Sequence, residues 1–125
     1  DTQQTLDWLA GKQYGAFCGI GQPDNFFRML ESLTNEEPKF TIAFPDHYSY
    51  PEQSIKKIFK VADEHGVNVI LTTCKDAVKL RGKLVGRGKT VMAVDIDVKV
   101  YHGEEDLWEK IDAVLRLSSK PQAQE

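Results

Sequence analysis

A run of β-type residues, Phe40 to Ala43, is broken off by Phe44-Pro45 and followed at once by an acid and an imidazole, Asp46 and His47. Proline fixes its own φ and biases the residue before it toward extended geometry, so a buried strand feeding Pro45 ends in a stiff corner. The neighbouring segments indicate what kind of sheet that strand joins. Tyr14 to Ile20 is a compact apolar run read as the first strand, and Gly21-Gln22-Pro23 supplies a corner and a helix start before Phe26, Phe27, Leu30 and Leu33 recur at helical spacing. Pro51 opens a second helix with Ile55, Ile58, Phe59 and Ala62 on one face, stopped at Gly66. Val67 to Leu71 is apolar apart from Asn68 and continuous rather than alternating, as expected of a parallel strand covered on both faces. Thr73 followed three residues later by Asp76 resembles a capping box, opening a short helix that carries Ala77, Val78 and Leu80. Arg81 to Lys89, with three glycines and four cations, reads as a mobile loop. Thr90 to Tyr101 is β-rich and in its later part alternates with polar residues, as a half-exposed edge or hairpin strand would. Glu104 to Leu117 carries the last helical stripe, Leu107, Ile111, Val114 and Leu115.

This alternation predicts an α/β fold, a three-layer α/β/α arrangement with a mostly parallel sheet of about four to five strands and right-handed crossovers. The expected organisation is an N-terminal extension or linker from an upstream lobe over 1–13, one α/β domain over 14–118 and a disordered tail over 119–125. A length of 125 residues suits one domain, and a formal charge of -3 excludes a globally basic nucleic-acid binder. Cys18 and Cys74 lack metal-type spacing and read as reduced core thiols. No apolar run reaches the roughly 18 residues of a transmembrane helix, so any membrane is touched from outside.

Connectivity gathers three strand ends on one edge: Gly19 to Pro23, Phe44 to Tyr48, and Thr72 to Asp76. Each has a plain reading beside a functional one. Gly19-Ile20-Gly21 is either a tight turn or an amide-lined anion site. Asp46 and His47 are either a cap and a surface imidazole or a proton-transfer pair, in which the carboxylate orients the ring and raises its basicity. Lys75 and Asp76 are either helix-start residues or ligand contacts, and the Arg81 to Lys89 cations either a solvated loop or a patch for anionic lipid or phosphate. His65 and His102 read as exposed loop residues, and no ligand spacing suggests a metal site. The phosphate-loop pattern G-x-x-x-x-G-K-[ST] is absent.

Taken together, Gly19-Ile20-Gly21-Gln22-Pro23 with Phe26-Phe27, then Phe44-Pro45-Asp46-His47-Tyr48, then Thr73-Cys74-Lys75-Asp76-Ala77-Val78-Lys79, resemble in order and spacing the C-terminal portion of tetraacyldisaccharide 4'-kinases. The resemblance runs from about Lys12 through the last helical segment. It implies a contribution to phosphoryl transfer from ATP to the 4'-hydroxyl of a tetraacyldisaccharide 1-phosphate in lipid A biosynthesis. Asp46 and His47 would be catalytic, and Gly19, Gly21, Thr73, Lys75 and Asp76 would bind substrate or nucleotide. Cys74 stands where the family commonly has glutamate. ATP and Mg2+ would serve the full-length enzyme, with neither held tightly by this chain. The implied partners are an N-terminal phosphate-loop lobe and a lipid substrate at the membrane surface, with no nucleic acid, in an enzyme that is cytoplasmic and peripheral to the inner membrane. The isolated chain would then be catalytically incomplete. The alternatives are a non-catalytic module of the same descent that binds a phosphorylated ligand or regulates a partner, and, ranked last, an unrelated hydrolase using Asp46 and His47.

Overall fold

The computed structural model describes residues 9, 11–84, 86–94 and, as backbone, 100–102. The expected final helix and tail, and most of the expected N-terminal extension, lie outside the described residues. Within them the chain alternates strand and helix: β1 Tyr14–Cys18, α1 Pro23–Thr34, β2 Phe40–Ala43, α2 Glu52–Glu64, β3 Val69–Thr73, α3 Cys74–Val78, β4 Thr90–Val94 and β5 Val100–His102. Local sequence accounts for the helix ends. Pro23 begins α1, and Asn35 ends it in the left-handed region (φ 59°), with its N–H on the Glu31 carbonyl. Thr73 caps α3 by accepting from the Asp76 N–H, as the Thr73/Asp76 spacing predicts.

The sheet order is β2-β1-β3-β4-β5. The first four strands run parallel, and β5 pairs antiparallel with β4 through Met92–His102, Ala93–Tyr101 and Val94–Val100. Alternate residues of each strand serve opposite layers. Tyr14, Ala16 and Cys18 of β1, with Val69 and Leu71 of β3, meet Phe26, Phe27 and Leu30 of α1. Phe17, Ile70 and Val91 meet Ile55, Ile58, Phe59 and Ala62 of α2 on the other face. Burying one such side chain stabilises a fold by about 1.5–3 kcal/mol. Leu9 is buried in the α1-side cluster, so the segment before Tyr14 contributes to the core.

The Thr90 to Tyr101 stretch meets the edge-or-hairpin expectation in its hairpin form: β4 lies inside the sheet with Val91 to Val94 buried, and β5 pairs as its antiparallel neighbour at the sheet edge. The cause of that burial is coverage from both sides, with Met92 and Val94 in the α1-side core and Val91 beside Leu80 and Leu84 in the other. His102 accordingly ends a strand rather than sitting in a loop. The Arg81 to Lys89 segment is pinned rather than free. Leu84 is buried, and Arg87 reaches Glu52 at 2.8 Å and lies over the Phe59 ring. Lys89 Nζ reaches Asp63 at 2.8 Å and donates to the Val67 carbonyl at 2.9 Å.

The chain leaves β1 for β2 on one side and returns past it to β3 on the other, so the strand order reverses between β1 and β3. In open α/β sheets the crevice beyond the C-terminal strand ends at such a reversal is the usual ligand site. Close packing fixes that part of the sheet. Gly15 pairs with Phe40, and a Cβ there would fall 1.9 Å from the Phe40 ring. Gly15→Ala should therefore lower unfolding free energy by about 1–3 kcal/mol, the usual cost of overpacking, read as a lower urea midpoint with unchanged slope; an unchanged midpoint would contradict this packing.

Candidate functional site

The loops that leave β1 and β2 meet, at Gly19, the junction where β3 runs directly into α3. The Phe44 N–H donates to the Cys18 carbonyl at 2.8 Å, carrying the β1–β2 ladder one residue further and setting Pro45 beside Gly19. A Cβ on Gly19 would lie 2.9 Å from the Pro45 carbonyl oxygen, 3.2 Å from Asp76 Oδ1 and 3.3 Å from Tyr48 Cβ. Only glycine fits where these backbones approach. Gly21, two residues on, is exposed, and its Cβ position lies 3.7 Å from Asp46 Oδ2.

Beneath the loops lies the Asp76 carboxylate, with no exposed surface. Its Oδ1 accepts from the Gly19 N–H at 3.0 Å and from the Tyr50 hydroxyl at 2.8 Å, and its Oδ2 accepts from the Thr73 hydroxyl at 2.5 Å. Thr73 Oγ1 in turn accepts from the Asp76 N–H at 3.0 Å. Burial, and after it the charge and hydrogen bond of Asp76, push the Tyr50 hydroxyl far above its ordinary value, which keeps it a donor. Burial, followed by the same charge, pushes the Cys18 thiol up to about 11. Cys18 is accordingly a buried thiol in the core, as its sequence context predicts.

Above this carboxylate the groups face water. His47 has φ 63° and a side chain 78% exposed, and Asp46 is 45% exposed. Lys75 Nζ donates to Asp46 Oδ1 at 3.1 Å. That hydrogen bond, partly opposed by desolvation, with the His47 charge adding to it, holds the Asp46 carboxyl below the usual carboxylate range. His47 Nε2 lies 3.8 Å from Asp46 Oδ2, an ion-pair distance when the ring is protonated and too long for a hydrogen bond. Hydrogen bonds between catalytic groups often tighten only when substrate arrives.

The seven sequence-predicted residues are thus neighbours in space, in two tiers. Gly21, Asp46, His47 and Lys75 line the exposed edge, while Gly19, Thr73 and Asp76 bond one another below. Tyr50 was not foreseen. It is fully buried with φ 57°, and its ring meets Phe17, Phe44 and Tyr48 edge-on at 5.6, 5.2 and 5.1 Å. Three aromatics in the seven positions 44–50, Phe44, Tyr48 and Tyr50, were the signal that could have found it. Gly88-Lys89-Thr90 has the composition of a phosphate-loop end, yet it enters strand β4 where such a loop leaves a strand, and Lys89 is already engaged. Among the described residues no group of three His, Cys, Asp or Glu side chains could hold a metal ion.

Comparison with known proteins adds an independent finding. The family described as tetraacyldisaccharide-1-P 4'-kinase matches residues 1–116. A tetraacyldisaccharide 4'-kinase of Anaeromyxobacter sp. (strain K) is 30% identical over 118 residues, covering 94% of this chain and 31% of the relative. Enzymes of the same name from Syntrophus aciditrophicus and Halothermothrix orenii are 43% and 38% identical over 75 and 77 residues, covering 60% and 62% of this chain. The chain spans 20% of each of those two relatives. No solved structure matches.

The exposed pair gives a testable titration. Because Lys75 is the chief cause of the low Asp46 value, Lys75→Met should move the Asp46 carboxyl midpoint upward toward the ordinary range, followed by carbon-detected NMR. A group with a depressed folded pKa contributes stability above its unfolded pKa and loses it as pH falls, so the variant should also lose part of the acid-side slope of stability. An unmoved midpoint would remove Lys75 as the cause.

Proposed function

The chain belongs to the tetraacyldisaccharide 4'-kinase family of lipid A biosynthesis, and we propose that it is the C-terminal lobe of such a kinase, contributing His47 and Asp46 to ATP-dependent phosphorylation of the 4'-hydroxyl of tetraacyldisaccharide 1-phosphate. The observation that carries this reading is the exposed imidazole beside a carboxylate, at the sheet edge where the strand order reverses. Two further facts support the division into lobes. The sequence holds no phosphate-loop pattern, and the chain spans 31% or less of the relatives compared above. An N-terminal lobe outside this chain then supplies the nucleotide phosphate site.

Phosphoryl transfer is mainly positioning and charge stabilisation, so its groups divide readily between two lobes that close on substrate. In the proposed division the His47 ring accepts the proton of the attacking hydroxyl, with the Asp46 carboxylate 3.8 Å from its Nε2. Lys75 and Gly21 flank Asp46 and face the substrate or nucleotide. Mg2+, which would accompany ATP, is placed by this reading with the nucleotide in the N-terminal lobe. The lipid substrate places the full enzyme on the cytoplasmic surface of the inner membrane as a peripheral protein. No described helix is long and apolar enough to cross a membrane.

One observation favours a second reading, a non-catalytic module that binds a phosphorylated ligand: the Asp46 carboxylate accepts from the Lys75 ammonium, while the His47 ring stays 3.8 Å away. The two readings separate in one experiment. In a full-length family kinase carrying this segment, His47→Ala should reduce kcat by roughly 10²–10⁴, the range for loss of a general base, with an unchanged circular dichroism spectrum. Wild-type turnover from folded His47→Ala enzyme would exclude the catalytic role and leave the binding module.

A further inference from the structure

The sequence reading counts Asp76 among the groups that bind substrate or nucleotide. We infer instead that Asp76, through Tyr50, is a positioning residue: it holds the loop that presents His47 and does not itself meet ligand. The inference rests on the catalytic reading of His47 given above.

Three observations carry it. The Asp76 side chain has no exposed surface, and both its oxygens accept hydrogen bonds from within the protein. Its three donors come from three different segments, Gly19 on the loop after β1, Tyr50 on the loop after β2 and Thr73 at the last residue of β3. The segment that needs holding is the middle one. His47 and Tyr50 are both non-glycine residues in the left-handed region, at φ 63° and φ 57°. Such a backbone conformation is strained for a residue with a side chain and persists only where its surroundings fix it. At the near end of the loop Pro45 is stiff and packs on Gly19. At the far end Tyr50 is fixed by its hydroxyl on Asp76 and by its ring among Phe17, Phe44 and Tyr48. Tyr48 adds a second tie through its hydroxyl contact with Ser54 of α2. His47 lies between these anchors with no contact to Asp76 of its own, so any influence of Asp76 on the imidazole passes through the backbone of residues 47–50. The Gly19 N–H, committed to Asp76, is likewise unavailable to a phosphate.

Tyr50→Phe tests the link because it removes the hydroxyl on Asp76 and keeps the ring packing. The first readout uses this chain alone. Amide exchange of residues 46–50 should quicken by about tenfold or more, while exchange in β1 and β3 stays near wild type. An equal change throughout the sheet, or none in the loop, would overturn the inference by showing a merely structural or idle contact. The second readout uses full-length kinase carrying this segment. Tyr50→Phe should lower kcat by about tenfold with KM for ATP unchanged, the scale on which misplacing a reacting group is felt. In a His47→Ala background the same substitution should cost nothing more, because residues acting through one another are not additive. Independent, additive losses would contradict positioning through His47. Failure of His47→Ala itself to slow turnover would sink the catalytic reading, whereas an active role for His47 with no effect of Tyr50→Phe on the loop or on kcat would sink only this inference.

Discussion

One buried carboxylate closes the end of this sheet. Hydrogen bonds to a charged group each contribute about 1.5–3 kcal/mol, and Asp76 receives three, from the loop after β1, the loop after β2 and the last residue of β3. A buried carboxylate without partners would be strongly destabilising. The three segments therefore depend on one another: moving any of them leaves part of the Asp76 charge unpaired. The glycine at position 19 is the steric side of the same constraint, since a side chain there would strike the Pro45 carbonyl and Asp76 together. What the sheet gains is a rigid floor at the point where its strand order reverses. What faces water above that floor is chemistry without much structural duty: His47, Asp46 and Lys75.

That separation of tiers fits the role proposed above, a lobe that works against another body. Groups meant to meet substrate must stay solvent-accessible until the lobes close, so packing cannot hold them in place directly. Holding them from beneath, through Tyr50 and the two left-handed residues of the loop, keeps the imidazole exposed while its backbone is fixed. The opposite arrangement, a buried imidazole in a finished pocket, would suit an enzyme complete in one domain. The kinase family matches residues 1–116, and the chain spans 31% or less of the relatives compared.

Much of the fold was legible because the strands are apolar runs and the helices keep one apolar stripe, as Val69–Thr73 and the Ile55, Ile58, Phe59, Ala62 face show. The gathering of Gly19, Asp46 and Thr73 followed from connectivity alone. The burial of β4 was harder to see because coverage by α1 and by the Leu80–Leu84 segment is a tertiary fact absent from local alternation. In the same way, the cations of 81–89 suggested a free loop, while Arg87 and Lys89 find acids on α2 that are distant in sequence. Within the site, residue types pointed to Asp46, His47 and Asp76 but could not tell an exposed carboxylate from a buried one. Tyr50 was hidden for a related reason: its role depends on a hydroxyl reaching a residue 26 positions away.

The central claim is that this chain supplies one half of a divided kinase site. The most direct test is ATP-dependent phosphorylation of tetraacyldisaccharide 1-phosphate by the 125-residue chain, with and without a separately supplied N-terminal lobe of a family kinase. The account predicts silence from either part alone and turnover on mixing. No turnover on mixing, from folded chain and an N-terminal lobe that regains activity with its own C-terminal portion, would contradict it.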